Sequence, residues 1–403
     1  MSREGSGLPA GVNVVGQFNS ESGVGEAARA LVSALDAAGI PVLPTLPIDA
    51  SPSRQGAAFR TVPLGQATFP VTLSLLTAYE TKPFLEAVPP SFLKGRRLVG
   101  LWWWEVELFP DFMAEAFAHV DAVWAGTRHI QDAFARTSGD TPVELIRYPV
   151  RTPKPSGDGG VRSRRELGLP EGSPLFLTVF GFYSSVARKN PQGTIAAFLK
   201  AFPTAEPGGP QLVVKAIDEG PHPDELAALE ALVAPHPHVH IRTGYLDRSG
   251  MDDLLAAADV VVSLHRAEGF GYTPAEAMAL GRPVIATGYS GNLDYMDSRS
   301  AVLIDAPLIP IGEDGGPYPP ESRWADPDLG QAAEAMRLLA RDPALRERLG
   351  AAGKADLAAR FSAQAAGETM AAALRQLPPA PGGPGWLALR KARKRAAALR
   401  ASR

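Results

Sequence analysis

From residue 175 to residue 287 the chain alternates short apolar runs with stretches of helical spacing, joined by only a few residues each. Residues 175–181, 211–216, 239–243, 260–264 and 283–287 read as strands. Residues 190–201, 224–233, 250–258 and 274–280 read as helices. Strands that alternate with helices across short connections can pair only in parallel, so this half predicts a doubly wound α/β sheet. The first half has the same rhythm. Residues 12–16 form a strand, and 24–38 a helix with Ala27, Leu31, Leu35 and Ala38 on one side, stopped at Gly39. Further strands are expected at 40–46, 71–76, 97–103, 121–125 and 143–146.

At 403 residues the chain is long for a single core and ample for two α/β domains. Pro, Gly and Ser gather between Pro153 and Gly160, which places the boundary near Pro153. The expected division is 1–153, 154–377 and 378–403. Helices at 328–340, 343–361 and 363–377 follow a Pro/Gly-rich loop at 307–320, and the last of them are candidates to cross back to the first domain. Two such domains predict ligand binding in the crevice between them, at the carboxyl ends of the strands. Hydrophobic residues make up 45% and charged residues 21%, ordinary values for a globular protein. A net charge of −3 gives no bulk attraction to nucleic acid. The chain has no cysteine, no signal-peptide core and no apolar stretch of membrane-spanning length, which together predict a cytoplasmic protein. The tail from Arg390 to Arg403 is basic throughout. It is read either as a solvated terminal helix or as a peripheral contact to anionic lipid.

The chemistry concentrates in residues 260–294, VVVSLHRAEGFGYTPAEAMALGRPVIATGYSGNLD. This reads as strand, glycine loop, helix, glycine stop and strand. The loop runs Glu268-Gly269-Phe270-Gly271-Tyr272-Thr273, with Pro274 in the first helical turn. Glycines allow close backbone approach, and the amides of a helix start favour an anion such as a diphosphate. Glu276 follows Glu268 by eight positions, inside the expected helix's first turn, and a carboxylate there can accept the paired hydroxyls of a ribose. An acidic helix start stabilised by the dipole is the plainer alternative.

This stretch resembles the signature of the retaining GT-B glycosyltransferases that include sucrose synthase-like and bacterial mannosyltransferase-like members (glycosyltransferase group 1). Their hallmark is Glu, seven residues, Glu, with a Gly-Phe-Gly loop after the first. The resemblance implies two Rossmann-like domains, with Glu268 on the donor-sugar hydroxyls and Glu276 on the nucleotide ribose. Amides from Phe270 to Thr273 would meet the sugar and diphosphate, with Gly269 also a donor contact. It also maps Arg188 and Lys189, in Arg188-Lys189-Asn190-Pro191, onto the family's basic pair that neutralises the donor diphosphate. Positive charge there would stabilise the leaving group, with Arg matched to phosphate geometry and Lys a point charge. RKNP, SLHRAEGFG, ATGYSGN and the Trp324 to Pro327 segment resemble a bacterial surface-glycan subgroup, so the likeness covers roughly 175–375. Tyr245 would lie near the base, where it either stacks or fills core. His265, close to Glu268, is either a structural histidine or an acid or base at the donor, and Asn292 either a turn residue or a hydrogen bond to the donor.

In the first half, Gly23 and Gly25 precede a helix and are candidates for close approach to the donor. Asn19 and Glu21 are candidate acceptor contacts. Trp103, Trp104 and Glu105 end a strand. Aromatic faces suit sugar rings, and a carboxylate can orient hydroxyls, though core packing explains tryptophans equally well. Many family members carry a histidine there that assists transfer. This sequence has none at that point, which makes Glu105, or Glu107, the candidate helper. Thr127 is the expected cap of a following helix.

The expected activity is hexosyl transfer with retention from a nucleoside diphosphate sugar, GDP-mannose first, to a hydroxyl on a glycan, a lipid-linked glycan or a small molecule. No metal or cofactor is expected, because Arg188, Lys189 and helix amides supply the positive potential. Rival readings are a nucleotide-sugar epimerase or phosphorylase, a non-catalytic nucleotide-sugar binder, and an NAD-linked oxidoreductase. The last rests on Gly23-x-Gly25-x-x-Ala28, whose glycines lie too far beyond the strand for a dinucleotide fingerprint.

Overall fold

The computed structural model describes residues 8–49, 53–156 and 164–378. The basic tail and residues 379–385 lie outside them. The chain divides into two compact units, one of residues up to Pro149 with those from Arg360 onward, the other Val150–Ala359.

In the first unit the elements are β1 (Val12–Val15), α1 (Gly23–Ala37), β2 (Val42–Thr45), β3 (Val71–Ser74), α2 (Ala78–Ala87), α3 (Pro90–Leu93), β4 (Arg97–Leu101), α4 (Asp111–Ala114), β5 (Ala122–Ala125), α5 (Arg128–Ala135) and β6 (Val143–Leu145). The six strands form one parallel sheet in the order β2-β1-β3-β4-β5-β6. β1, β3 and β5 are buried at every position, as strands covered on both faces must be.

The second unit contains β7 (Leu175–Gly181), α6 (Val186–Lys189), α7 (Pro191–Ala201), β8 (Gln211–Ile217), α8 (Pro223–Val233), β9 (Val239–Arg242), α9 (Arg248–Ala257), β10 (Val260–Ser263), α10 (Tyr272–Leu280), β11 (Val284–Thr287), β12 (Val302–Ile304), β13 (Leu308–Pro310), β14 (Arg323–Ala325), α11 (Leu329–Arg341) and α12 (Pro343–Arg360), whose last residue already belongs to the first unit. Its parallel sheet runs β12-β11-β10-β7-β8-β9, the Rossmann order. Phe176, Phe198, Leu212, Val262, Ile285 and Met336 are buried in its core. The strand order reverses between β7 and β10, and ligands of such sheets bind at the carboxyl ends of the two strands flanking that switch.

Helix α13 (Ala363–Arg375) belongs to the first unit and packs on α1. Gly367 permits this, because a Cβ there would sit 2.2 Å from the Ala34 carbonyl oxygen. Residues 307–320, read from sequence as loop, contain β13, which pairs antiparallel with β14. β12 was hidden by its brevity, and α2 has the Thr77–Glu80 capping box as its unread start signal.

Candidate functional site

The site in the second unit grows from the two strands at the switch point. After β7, a turn over Phe182–Ser184 leads to Ser185, whose side chain caps α6 by accepting from the Arg188 amide. Arg188 and Lys189 therefore occupy the last turn of a short helix, where cations are favourable. They end this short helix and lie just before the long helix α7. Asn190 turns left-handed at φ 53° and starts α7. Its Oδ1 accepts from Gly193 N at 3.1 Å, and its Nδ2 donates to the Leu264 carbonyl at 2.9 Å, tying this turn to the end of β10.

Glu268 stands on the loop after β10. Arg188 Nη1 lies 3.2 Å from its Oε2 and also donates to the Ala267 carbonyl at 2.8 Å. Lys189 Nζ pairs with Oε1. Burial alone would raise the Glu268 carboxyl, but the Lys189 and Arg188 charges outweigh it and hold the pKa at about 2. The group is ionised at neutral pH, and the triad of two cations and one carboxylate carries net positive charge. Gly271, at φ 85°, begins α10 with no side-chain cap, and Tyr295 Oη donates to its carbonyl at 2.7 Å. The start of α10 thus follows directly on the loop that carries Glu268, and a helix start is suited to an anion. The Phe270 side chain is buried against Tyr272 and Tyr295.

Glu276 lies in the middle of α10, which starts two residues earlier than expected, and not in its first turn; it is also buried. Its Oε1 pairs with Arg248 and lies 3.5 Å from Arg151 Nε. Both arginines also engage Asp252, Arg151 through Nη1 at 2.8 Å from Oδ2 and Arg248 through Nε at 3.4 Å from Oδ1. Sequence reasoning missed this bracket, although Arg248 opens α9, a position the helix dipole disfavours for a cation.

His265 and Asn292 are fully buried and bonded to each other. His265 Nδ1 meets Ser263 Oγ at 3.0 Å, and its Nε2 faces Asn292 Oδ1 at 3.2 Å and the Tyr289 carbonyl at 3.3 Å. Burial lowers its pKa, so the ring is neutral, with its proton on Nε2 between two acceptors. These two side chains hold the loops after β10 and β11 together. Tyr245 donates to Asp218, and Lys215 donates to the carbonyls of Ala216 and Gly244, fixing the loop after β9.

In the first unit, Gly23 and Gly25 fall inside the first turn of α1 and not in a turn before it, which removes the dinucleotide-fingerprint geometry. Asn19 and Glu21 lie on the preceding loop. Glu21 pairs with Arg54, and the Asn19 carbonyl accepts from Ala57 N at 3.1 Å. Trp104 is buried, with Nε1 donating to the Leu108 carbonyl at 2.9 Å and its ring against Phe109. Trp102 is buried against Phe117 and Phe134. The core reading holds for both. Trp103 is half-buried, 4.8 Å from the Tyr148 ring. Glu105 is half-buried, and its carbonyl faces His129 Nε2 at 2.8 Å. Thr127 caps α5 as expected, accepting from Ile130 N at 3.3 Å. Among the described residues no group of three or more His, Asp or Glu side chains is placed to hold a metal ion, and no helix is long and apolar enough to cross a membrane.

Residues 163–308 match the family model for Glycosyl transferases group 1. The chain is 31% identical over 225 residues to the D-inositol 3-phosphate glycosyltransferase of Corynebacterium jeikeium, a match covering 54% of this chain and 47% of that protein. It is 28% identical over 218 residues to the glycogen synthase of Bordetella petrii, covering 52% and 39%. The match thus spans less than half the length of these curated relatives. In fold, the chain is similar to sucrose-phosphate synthase from Thermosynechococcus elongatus, with a TM-score of 0.64 at 19% identity over 91% of this chain and 98% of that one. It is similar also to Anabaena HepE in complex with UDP and glucose, with a TM-score of 0.65 at 16% identity over 91% and 100%. By these likenesses the second unit contains the stretch that matches Glycosyl transferases group 1, residues 163–308, and the chain shares the two-unit α/β fold of these solved structures.

Proposed function

We propose that the protein is a retaining glycosyltransferase that moves a hexosyl unit from a nucleoside diphosphate sugar to a hydroxyl of a glycan or other polyol acceptor. The observation that carries this reading is the Arg188–Lys189–Glu268 triad at the β7/β10 switch point, beside the uncapped start of α10. When the glycosidic bond to the diphosphate breaks, negative charge grows on the leaving oxygen. Arg188, Lys189 and the α10 amides are fixed donors at the place where that charge would develop, and such preorganised donors lower the barrier. Glu268 keeps two neighbouring cations together and presents acceptor oxygens to sugar hydroxyls. Glu276, held by Arg248 and Arg151, is the acceptor for the ribose. Because these side chains and the helix supply the positive potential, the proposed transfer runs without a metal.

The HepE complex contains UDP, while the subgroup resemblance points to GDP-mannose, so both bases belong in the test. Thermal shift with UDP, GDP and dTDP, followed by turnover of the matching hexose donors with and without EDTA, names the base through linkage. Stabilisation by one nucleoside diphosphate and EDTA-insensitive transfer are expected. Anomeric proton couplings of the product then report the stereochemistry. No stabilisation by any of the three, with no donor consumed, would overturn the assignment, and an inverted product would overturn retention.

A further inference from the structure

The hairpin β13–β14 lies within the second unit, between β12 and α11, with its second strand beside the loop that carries Glu268. Its register sets Ile309 opposite Trp324 and Leu308 opposite Ala325. The hairpin is closed by Ile311 N donating to the Ser322 carbonyl at 2.9 Å and anchored at its base by Asp326 N donating to the Pro307 carbonyl at 2.9 Å. Trp324 is 6% exposed.

What the hairpin grips is Arg266. Ala325 N donates to the Arg266 carbonyl at 2.8 Å, and the Arg266 guanidinium lies 5.6 Å from the Trp324 ring centroid. On its other side, the Arg266 amide donates to the Arg188 carbonyl at 2.7 Å. Arg266 is therefore held between the hairpin and the turn that carries Arg188 and Lys189. The next residue, Ala267, offers its carbonyl to Arg188 Nη1, and the one after is Glu268. An ion pair also joins Arg266 to Asp326 at 2.9 Å, but Asp326 is 50% exposed, and exposed pairs contribute little. The guanidinium over the face of a buried indole and the backbone bond carry the grip.

We infer that the β13–β14 hairpin is a positioning element for the reaction: Trp324, by clamping Arg266, sets the alignment of Arg188 with Glu268. This rests on the activity proposed above. Neither Trp324 nor Arg266 is a catalytic residue, because they act through the two groups on either side of position 266. Small displacements of groups that stabilise a transition state cost rate more than they cost binding of the nucleotide, whose ribose is held elsewhere, at Glu276.

The test compares the parent chain with Arg266→Ala, Arg266→Lys, Trp324→Ala and Trp324→Phe. Arg266→Ala and Trp324→Ala are expected to lower kcat on the order of 10- to 100-fold, with the dissociation constant of the nucleoside diphosphate nearly unchanged. Trp324→Phe, which keeps a ring face, should recover most of the rate. Arg266→Lys, which keeps charge without a planar face, should recover little. Amide exchange in peptides spanning 185–190 and 264–270 should quicken in the two alanine variants, while the rest of the second unit keeps its protection. Arg266→Ala is informative even if Trp324→Ala fails to fold, because the Arg266 side chain is partly exposed. Unchanged exchange in both peptides overturns the clamp. Equal losses of kcat and nucleotide affinity with exchange quickened throughout the unit also overturn it, since that is general destabilisation. A parent chain that consumes no nucleotide sugar defeats the proposed function instead, and the exchange arm still decides the clamp.

Discussion

Arg188 and Glu268 come from opposite sides of a topological switch point, one from the turn after β7 and the other from the loop after β10, and meet with 3.2 Å between Nη1 and Oε2. Both are buried, so neither charge is tolerable without the other. Arg188→Ala should lower kcat on the order of 100- to 1000-fold, as removal of a fixed transition-state donor does elsewhere. Steady-state rates with saturating donor measure this. Nucleoside diphosphate affinity should fall less than kcat, and a rate within a few-fold of the parent (roughly one kcal/mol of barrier) would remove Arg188 from the transition state.

The Glu268 carboxyl also ties stability to pH. Its folded pKa of about 2 lies below the ordinary 4.5. A depressed carboxyl contributes stability that is fully present above the unfolded pKa and is lost as pH falls through the folded value. The window is therefore about pH 4.5 down to about 2. Denaturant melts across that range should show the parent losing on the order of 3 kcal/mol that Glu268→Gln does not lose. Parallel curves for the two proteins would place the titration elsewhere.

Glu276 predicts a different signature. A buried carboxylate that accepts ribose hydroxyls discriminates against a donor lacking one, because its own acceptor would then go unpaired. Calorimetry with a nucleoside diphosphate and its 2′-deoxy analogue should show the parent preferring the ribose form about tenfold or more, at roughly 1.5 kcal/mol for one hydrogen bond to a charge. Glu276→Gln should narrow the preference. Equal binding of both ligands by the parent would move the ribose away from Glu276.

Much of this site was legible because its signals are local. Glu268, Gly271 and Glu276 sit on one strand–loop–helix passage, whose glycine spacing and helix start can be read in order. Arg188 and Lys189 were legible as residues but not as geometry, since the helix break at Asn190 depends on a left-handed residue that sequence rarely announces. Arg151, Arg248 and Asp252 were hidden because their partner Glu276 is distant in sequence, and only the sheet order brings them together. The hairpin was hidden because Pro and Gly mark a loop whether or not a three-residue strand such as β13 lies within it. Trp104 shows an ambiguity of another kind, since a tryptophan at a strand end reads equally as sugar platform and as core, and here it packs on Phe109.

Gly23 and Gly25 separate a substrate role from a packing role within one helical turn. A Cβ at Gly25 would lie 2.1 Å from the Ser20 carbonyl oxygen, part of a loop that Arg29 pins through the same carbonyl at 2.9 Å. The backbone there cannot yield easily, so Gly25→Ala should cost about 1–3 kcal/mol of stability. Gly23 has no atom within 4 Å of its would-be Cβ and is exposed. Alanine fits that helical position and restricts the unfolded chain, so Gly23→Ala should leave stability equal or raise it by up to about 1 kcal/mol. If Gly23 serves the close approach of substrate, the same variant should nonetheless slow transfer. Melting curves and rates on the two variants decide this: a Gly23→Ala protein as fast as the parent would show that the exposed glycine touches no substrate, whatever Gly25 does for the fold.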